Sequence, residues 1–490
     1  MKIAEWMAQS GVAFGTSGAR GLVTAMTDAV CYAYTVGYLK HLSSVGEFAP
    51  GVAVAIAGDL RPSTPRIMRA CVAAVIQMKG EAVFCGQVPT PALCRHAFSQ
   101  GIPSLMVTGS HIPSDRNGIK FNRAHGEFLK PDETAMREQD VDLPAGWFDT
   151  AGTLIADITP PEAFDVVPDY VTRYREFFGP EALSGLKLGI YQHSAVGRDV
   201  LAQIVTALGG LAVPLGRSDI FIPVDTEAVR PEDETLARVW SAQHTLDAIL
   251  TTDGDSDRPL LADEAGNWLR GDVLGIVTAQ FLGAASVTTP VSSNTALEKS
   301  GFAQEVHRTR IGSPFVVESM TQAALMGVVP SVGYEANGGF LLASPVTLEG
   351  RMIPSLPTRD AVLPMLCALV SARQSGCTLG VLIRKLPPRF TLSDRLAEIP
   401  TVISQAKIET LRAAPEEVAK SLGFLTACGP LLLVDETDGV RMTFENGENI
   451  HLRPSGNAPE LRVYVEADTQ ERAGELLAIG LAAVSSWKQD

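Results

Sequence analysis

The stretch Val52-Ala53-Val54-Ala55-Ile56-Ala57-Gly58-Asp59-Leu60-Arg61-Pro62-Ser63 passes from an apolar run into a polar turn, and a helix-length amphipathic segment, 65–79, follows it. A short β-rich run that ends in Gly and Pro and then changes to helical periodicity reads as strand, turn and helix. The texture repeats. Residues 81–85 and 104–108 read as further strands, and a second series runs through a strand at 186–191, a helix at 198–208 and strands at 211–215 and 246–250. Such alternation predicts an α/β protein layered on largely parallel sheets. Ligands of such sheets gather at loops beyond the carboxyl ends of the strands. The end of the chain differs: 431–436 and 441–445 predict a hairpin, and 462–466 with the helix 470–485 predict a smaller α+β domain.

At 490 residues the chain is too long for one hydrophobic core and implies about three or four units. Pro and Gly interrupt the periodicity near Pro160-Pro161, 267–272 and Pro387-Pro388, which divides the chain into 1–160, 161–268, 269–386 and 387–490. Apolar residues at 46 % and charged residues at 19 % exclude extended disorder. A net charge of −15 argues against nucleic acid or an anionic membrane as the main partner. Small phosphate ligands need only a local cluster of Arg and Lys. The seven cysteines contain no Cys-x-x-Cys pair and read as buried thiols of a reducing compartment. Glu5 interrupts the N-terminus, so no signal peptide is expected, and apolar runs such as 273–285 fall short of the ~20 residues of a membrane span. These features predict a soluble, cytoplasmic chain.

Four loops carry chemistry. The apolar run 104–108 leads into Gly109-Ser110-His111. Gly109 is expected to allow a backbone conformation closed to other residues, leaving Ser110 exposed at a strand tip. Asn117-Gly118 reads as a tight turn that folds Lys120 back toward it. A serine oxygen that accepts a phosphoryl group beside an amine that stabilises charge or shuttles a proton suits phosphoryl transfer. Taken singly, the segment also fits a polar hairpin turn. No Gly-x-Ser-x-Gly elbow is present to support a Ser-His hydrolase.

In Asp253-Gly254-Asp255-Ser256-Asp257-Arg258 the three carboxylates at alternate positions can converge on a hard cation such as Mg²⁺, with Arg258 beside it to hold the same phosphate. A solvated acidic turn is the metal-free alternative. An EF-hand calcium loop is the less favoured reading: Asp255, Asp257 and Glu264 fit its positions, but Arg258 stands where its Gly belongs, Pro259 follows, and the preceding segment is β-rich. The loop Gly333-Tyr334-Glu335-Ala336-Asn337-Gly338-Gly339 places a carboxylate and an amide, Glu335 and Asn337, where they can bond neighbouring sugar hydroxyls. Arg453-Pro454-Ser455-Gly456-Asn457-Ala458-Pro459-Glu460-Leu461-Arg462 has the ingredients of a phosphate nest, although a Pro-rich connection between strands fits equally.

Taken in order, these loops resemble those of the α-D-phosphohexomutases, the phosphoglucomutase and phosphomannomutase family. Phe14-Gly15-Thr16-Ser17-Gly18-Ala19-Arg20-Gly21 is similar to that family's opening signature, and Gly58-Asp59-Leu60-Arg61 to its Asp-x-Arg element. The resemblance spans residues 14 to 466 and implies three similar mixed α/β domains and a smaller α+β C-terminal domain around a central cleft. It implies a phosphoserine at Ser110 and Mg²⁺ held by Ser110, Asp253, Asp255 and Asp257. Lys120, His111, Arg20 and Arg258 would complete the catalytic set. Glu335, Asn337 and Arg310 would bind the sugar end, and Arg453, Ser455, Gly456, Asn457 and Arg462 the substrate phosphate.

The implied reaction interconverts hexose 6-phosphate and hexose 1-phosphate through a hexose 1,6-bisphosphate, with mannose slightly preferred and glucose or glucosamine as alternatives. A phosphosugar phosphatase and a silent phosphosugar-binding protein are the rival readings. The partners implied are small hexose phosphates, for a monomer or homodimer. The sequence departs from the family at Asn337, at Asn457-Ala458 and at Ser313, where His, Lys or Asp is common and where Arg310 is expected to compensate.

Overall fold

The computed structural model describes residues 1–15, 18–455 and 459–488. Three sheets share one plan. The first is built on strands Ala53–Gly58, Glu81–Gln87, Ser104–Val107 and Arg116–Arg123, the second on Lys187–His193, Leu211–Arg217, Ala248–Thr252 and Pro259–Ala262, and the third on Ser286–Pro290, Glu305–Thr309, Ser331–Tyr334 and Phe340–Leu342. In each, the opening strand pairs in parallel with both the second and the third. The fourth strand then runs antiparallel beside the third. Helices cross between the parallel strands, as parallel connections require; in the first unit they are Thr64–Gln77 and Thr90–Gln100.

The consequence for function lies in the reversals from third to fourth strand. They are the segments 108–115, 253–258 and 335–339, which are the serine, acidic and Glu-Asn loops. One topological position, used three times, therefore carries three different chemistries. The fourth sheet is wholly antiparallel, in the order Phe390–Ala397, Glu460–Ala467, Asn449–Pro454, Val440–Phe444 and Leu431–Asp435.

The first three units are fused by a continuous core in which Met106, Ile190 and Val287, one from each sheet, belong to the same cluster. The other face of the first sheet has its own core, as does the C-terminal unit. Helix Val167–Phe178 pins the second unit to the third: the Tyr170 and Tyr174 hydroxyls both donate to Asp360, at 2.9 and 2.7 Å, and all three residues are buried. The C-terminal unit docks through Arg389, which bonds Thr295 of the third unit and Glu466 of the last sheet.

One expectation is corrected here. Asn117 and Gly118 make no turn; they lie inside strand Arg116–Arg123, and Lys120 reaches the serine loop because that strand runs back beside Ser104–Val107. Gly118 is needed for closeness, since a Cβ there would lie 2.6 Å from the Ala19 carbonyl oxygen. Among the described residues no helix is long and apolar enough to cross a membrane, and all seven cysteines are free. Tyr174→Phe leaves the buried Asp360 carboxyl short of a donor, and should lower unfolding stability by about 1–3 kcal/mol in urea titration. An unchanged midpoint would contradict the pinning role of this bond.

Candidate active site

Ser110 is buried, not exposed, and it is Ser110 itself that occupies the left-handed region, at φ +55°. Such a conformation is costly for a residue with a Cβ and persists only where its surroundings enforce it. Arg61 enforces it. All five of its N–H groups are used: Nε donates to Asp59, and the two terminal nitrogens donate to the carbonyls of Ser110, Ile112, Pro113 and Arg116 at 2.6–3.0 Å. The Phe221 ring covers its guanidinium at 4.0 Å. Gly109 is required for a different reason from the one expected, because a Cβ there would lie 2.6 Å from the Arg61 guanidinium carbon.

The Ser110 hydroxyl donates to Asp253 Oδ2 at 2.6 Å, so the serine and acidic loops meet. Lys120 completes the junction, its ammonium 2.5 Å from Asp255 Oδ2 and 2.6 Å from Asp257 Oδ2. Burial would lower the Lys120 pKa, but these two carboxylates outweigh it and raise the value, so the amine keeps its proton. Thr90, at the start of its helix, donates to Asp255 Oδ2 at 2.6 Å.

Asp253, Asp255 and Asp257 are all buried and offer carboxylate oxygens within 4.8 Å of one another. Burial and its two neighbours push the Asp253 carboxyl well above its ordinary range. The donor set fits a divalent cation. Asp255 Oδ1 and Asp257 Oδ1 are buried with no hydrogen-bond partner among the described residues, which is costly unless a positive charge fills the space between them. All-oxygen ligands favour a hard ion.

Around this centre stand three guanidinium groups. Arg258 donates to His111 Nδ1 at 2.8 Å, and its Nε is 3.8 Å from Asp257. That bond makes Nδ1 the acceptor, and burial together with Arg258 pushes the imidazole pKa down to about 3. His111 is thus a neutral spacer 3.4 Å from the Ser110 hydroxyl. Arg20 lies on strand Ala19–Leu22 beside Gly118, its pKa brought to about 10 by burial and by Arg258 and Arg359. Arg359 joins the acidic loop to the Glu-Asn loop, with Nε 3.0 Å from Asp257 Oδ2 and a terminal nitrogen 3.4 Å from Glu335.

Glu335 and Asn337 are both buried at the third reversal. Asn337 Oδ1 accepts from its own turn, the Gly339 N–H at 3.0 Å. Arg453 and Arg462 are paired opposite each other across adjacent strands. Arg453 bonds Asp438 at 2.8 Å, while Arg462 Nε is buried without a hydrogen-bond partner among the described residues. Ser455 is buried beside them; Gly456 and Asn457 lie outside the described residues.

Arg310 stands apart from the serine and acidic loops: it is exposed, reaches the Thr437 carbonyl at 3.3 Å and stacks near Phe315. Ser313 is buried and bonds Glu127 at 3.1 Å, so the departure noted at this position serves contact between the first and third units.

Four contributors escaped the sequence reading: Thr90, Arg359, the positioning role of Arg61, and a segment of the second unit, 218–230. From that segment Phe221 covers Arg61, Asp225 approaches His111 at 4.0 Å and Thr226 donates to the Asn337 carbonyl at 2.7 Å. A usable signal existed only for the loops that follow strands, where Thr90 and 218–230 both sit.

Three family models match the chain: phosphoglucomutase/phosphomannomutase alpha/beta/alpha domain I over residues 11–142, alpha/beta/alpha domain III over 270–390, and the C-terminal domain over 403–479. The chain is 42 % identical over 482 residues to a phosphomannomutase of Salmonella muenchen, covering 98 % of this chain and 96 % of that one. It is 42 % identical over 483 residues to a phosphomannomutase of Sinorhizobium fredii, covering 97 % and 99 %. Among solved structures, a phosphoglucomutase/phosphomannomutase family protein from Burkholderia thailandensis has the same fold, with a TM-score of 0.73, 18 % identity and coverage of 96 % of this chain and 97 % of that one.

If the acidic loop holds a divalent cation, Mg²⁺ at a hundred times its dissociation constant should stabilise the protein by about 2.7 kcal/mol. Asp255→Asn should remove that gain. Thermal unfolding with and without Mg²⁺ measures both, and a wild-type midpoint indifferent to Mg²⁺ would count against the site.

Proposed function

This chain belongs to the phosphoglucomutase/phosphomannomutase family and is a phosphohexomutase, an intramolecular phosphotransferase, and we propose that it works through a phosphoserine at Ser110 with mannose phosphates as its preferred substrates. The observation that carries the proposal is the junction itself: a buried serine hydroxyl 2.6 Å from Asp253, with Lys120 clamped between Asp255 and Asp257. The preference for mannose is supported by the two phosphomannomutases that are 42 % identical over nearly the full length. The division into 1–160, 161–268, 269–386 and 387–490 is likewise proposed, supported by one main sheet falling within each span.

In the proposed cycle the substrate's own phosphate is held by Arg453 and Arg462, and its hydroxyls by Glu335 and Asn337. The free end of the sugar then lies toward Ser110. The bond from phosphorus to Ser110 Oγ breaks as a bond to the sugar hydroxyl forms, giving a hexose 1,6-bisphosphate. Lys120, which carries its proton, relays the transfer: it gives a proton to the departing serine oxygen and takes one from the attacking sugar hydroxyl, and the relay runs in reverse when the other phosphate returns to Ser110. Arg20 and Arg258 neutralise charge on the moving group. Mg²⁺ bound by Asp253, Asp255, Asp257 and the serine phosphate would supply further charge neutralisation. His111, neutral and bonded to Arg258, orients that guanidinium rather than acting as a base. Burial of Ser110 protects the phosphoserine from water. The reducing, cytoplasmic setting proposed for the enzyme accords with its seven free thiols.

Ser110→Ala should lower turnover of mannose 1-phosphate by about a thousandfold or more while binding persists. Phosphorus NMR with Mg²⁺ and a trace of hexose 1,6-bisphosphate measures the first and calorimetry the second. Near-normal activity would overturn the assignment, and net release of inorganic phosphate by the wild type would point to a phosphatase.

A further inference from the structure

Arg359 is the only guanidinium among the described residues bonded to both the acidic loop and the Glu-Asn loop, and neither loop motif contains it. It lies on strand Leu356–Asp360, only 3 % exposed. Its neighbours fix it there. Asp360 is held by Tyr170 and Tyr174, and Thr358 donates to Glu127 at 3.0 Å. The Glu-Asn loop is shaped around its stem, since a Cβ on Gly339 would lie 2.6 Å from Arg359 Cδ. Asp257 Oδ2 receives Arg359 at 3.0 Å and Lys120 at 2.6 Å, while its other oxygen, 3.8 Å from Arg258 Nε, has no hydrogen-bond partner among the described residues.

We infer that Arg359 is a positioning residue for sugar recognition: braced by Asp257, it holds the Glu335 carboxylate in the orientation that receives the substrate's hydroxyls. This rests on the proposed reading of Glu335 as a sugar ligand and Asp257 as a cation ligand. A rigid, buried guanidinium fork suits the task, because two carboxylates can be held at once in a fixed relation. The arrangement has a directional consequence. The charge that orients Glu335 also sits against Asp257, so it strengthens the sugar end of the site while opposing cation binding at the other. A residue that merely kept the loops folded would support both ligands together.

The test measures the two ligands separately by calorimetry, Mn²⁺ without sugar and mannose 1-phosphate without cation, on wild type, R359Q, R359K, E335Q and D255N. R359Q should bind mannose 1-phosphate about tenfold or more weakly, the loss of one charge-assisted contact. The same variant should bind Mn²⁺ at least as tightly as wild type. R359K, which keeps the charge without the fork, should recover part of the sugar affinity, and it carries the comparison if R359Q does not fold. Unchanged sugar affinity in these variants, or a parallel loss for both ligands, would overturn the inference. E335Q should weaken only the sugar and D255N should weaken the cation. If E335Q binds sugar normally or D255N binds Mn²⁺ normally, the underlying reading of the site fails instead.

Discussion

Three buried carboxylates within 4.8 Å of one another are the constraint around which this enzyme is organised. Left alone they would repel strongly in a low-dielectric setting, and burial resists their ionisation. The fold answers from several directions. Lys120 comes from the first unit and Arg359 from the third, and both reach Asp257, while Arg258 stands on the acidic loop itself. The electrostatic balance of a single loop therefore depends on the docking of three units. Burying charge is tolerable only when partners meet it with good geometry, and here Lys120 and Arg359 both meet Asp257 within 3.0 Å.

The repeated plan of the first three units explains how the loops meet. Each places its third strand beside its first and then reverses, so each offers one tight loop at the same topological position. The continuous core beneath fixes the units to one another without touching that chemistry. Rigid support matters most for Ser110, whose left-handed backbone is held by Arg61: four of its five donors go to the carbonyls of Ser110, Ile112, Pro113 and Arg116, and the fifth to Asp59.

Much of this was legible in the sequence, for a physical reason. Strand, turn and helix alternate with sharp changes of periodicity, so Ala53–Gly58 and Thr64–Gln77 fall close to where the pattern of 52–63 put them. The motif loops are contiguous, so Ser110, the three aspartates and Glu335 announce themselves by local composition. Arg359 does not, because it lies outside every motif loop, in the short strand Leu356–Asp360, and acquires meaning only when Asp257 is folded against it. Thr90 and segment 218–230 act through contacts with other units that no local pattern encodes. Gly109 and Gly118 were misread for a related reason: each is small to admit a neighbouring group, Arg61 or the Ala19 carbonyl, and not to turn the chain.

The most direct measurement of the central claim is to treat the enzyme with hexose 1,6-bisphosphate and map covalent phosphate by peptide mass spectrometry, before and after adding mannose 1-phosphate. The expected result is a single phosphate on Ser110 that is discharged by the added sugar phosphate. A phosphate on any other residue, or one on Ser110 that the sugar phosphate cannot remove, would contradict it.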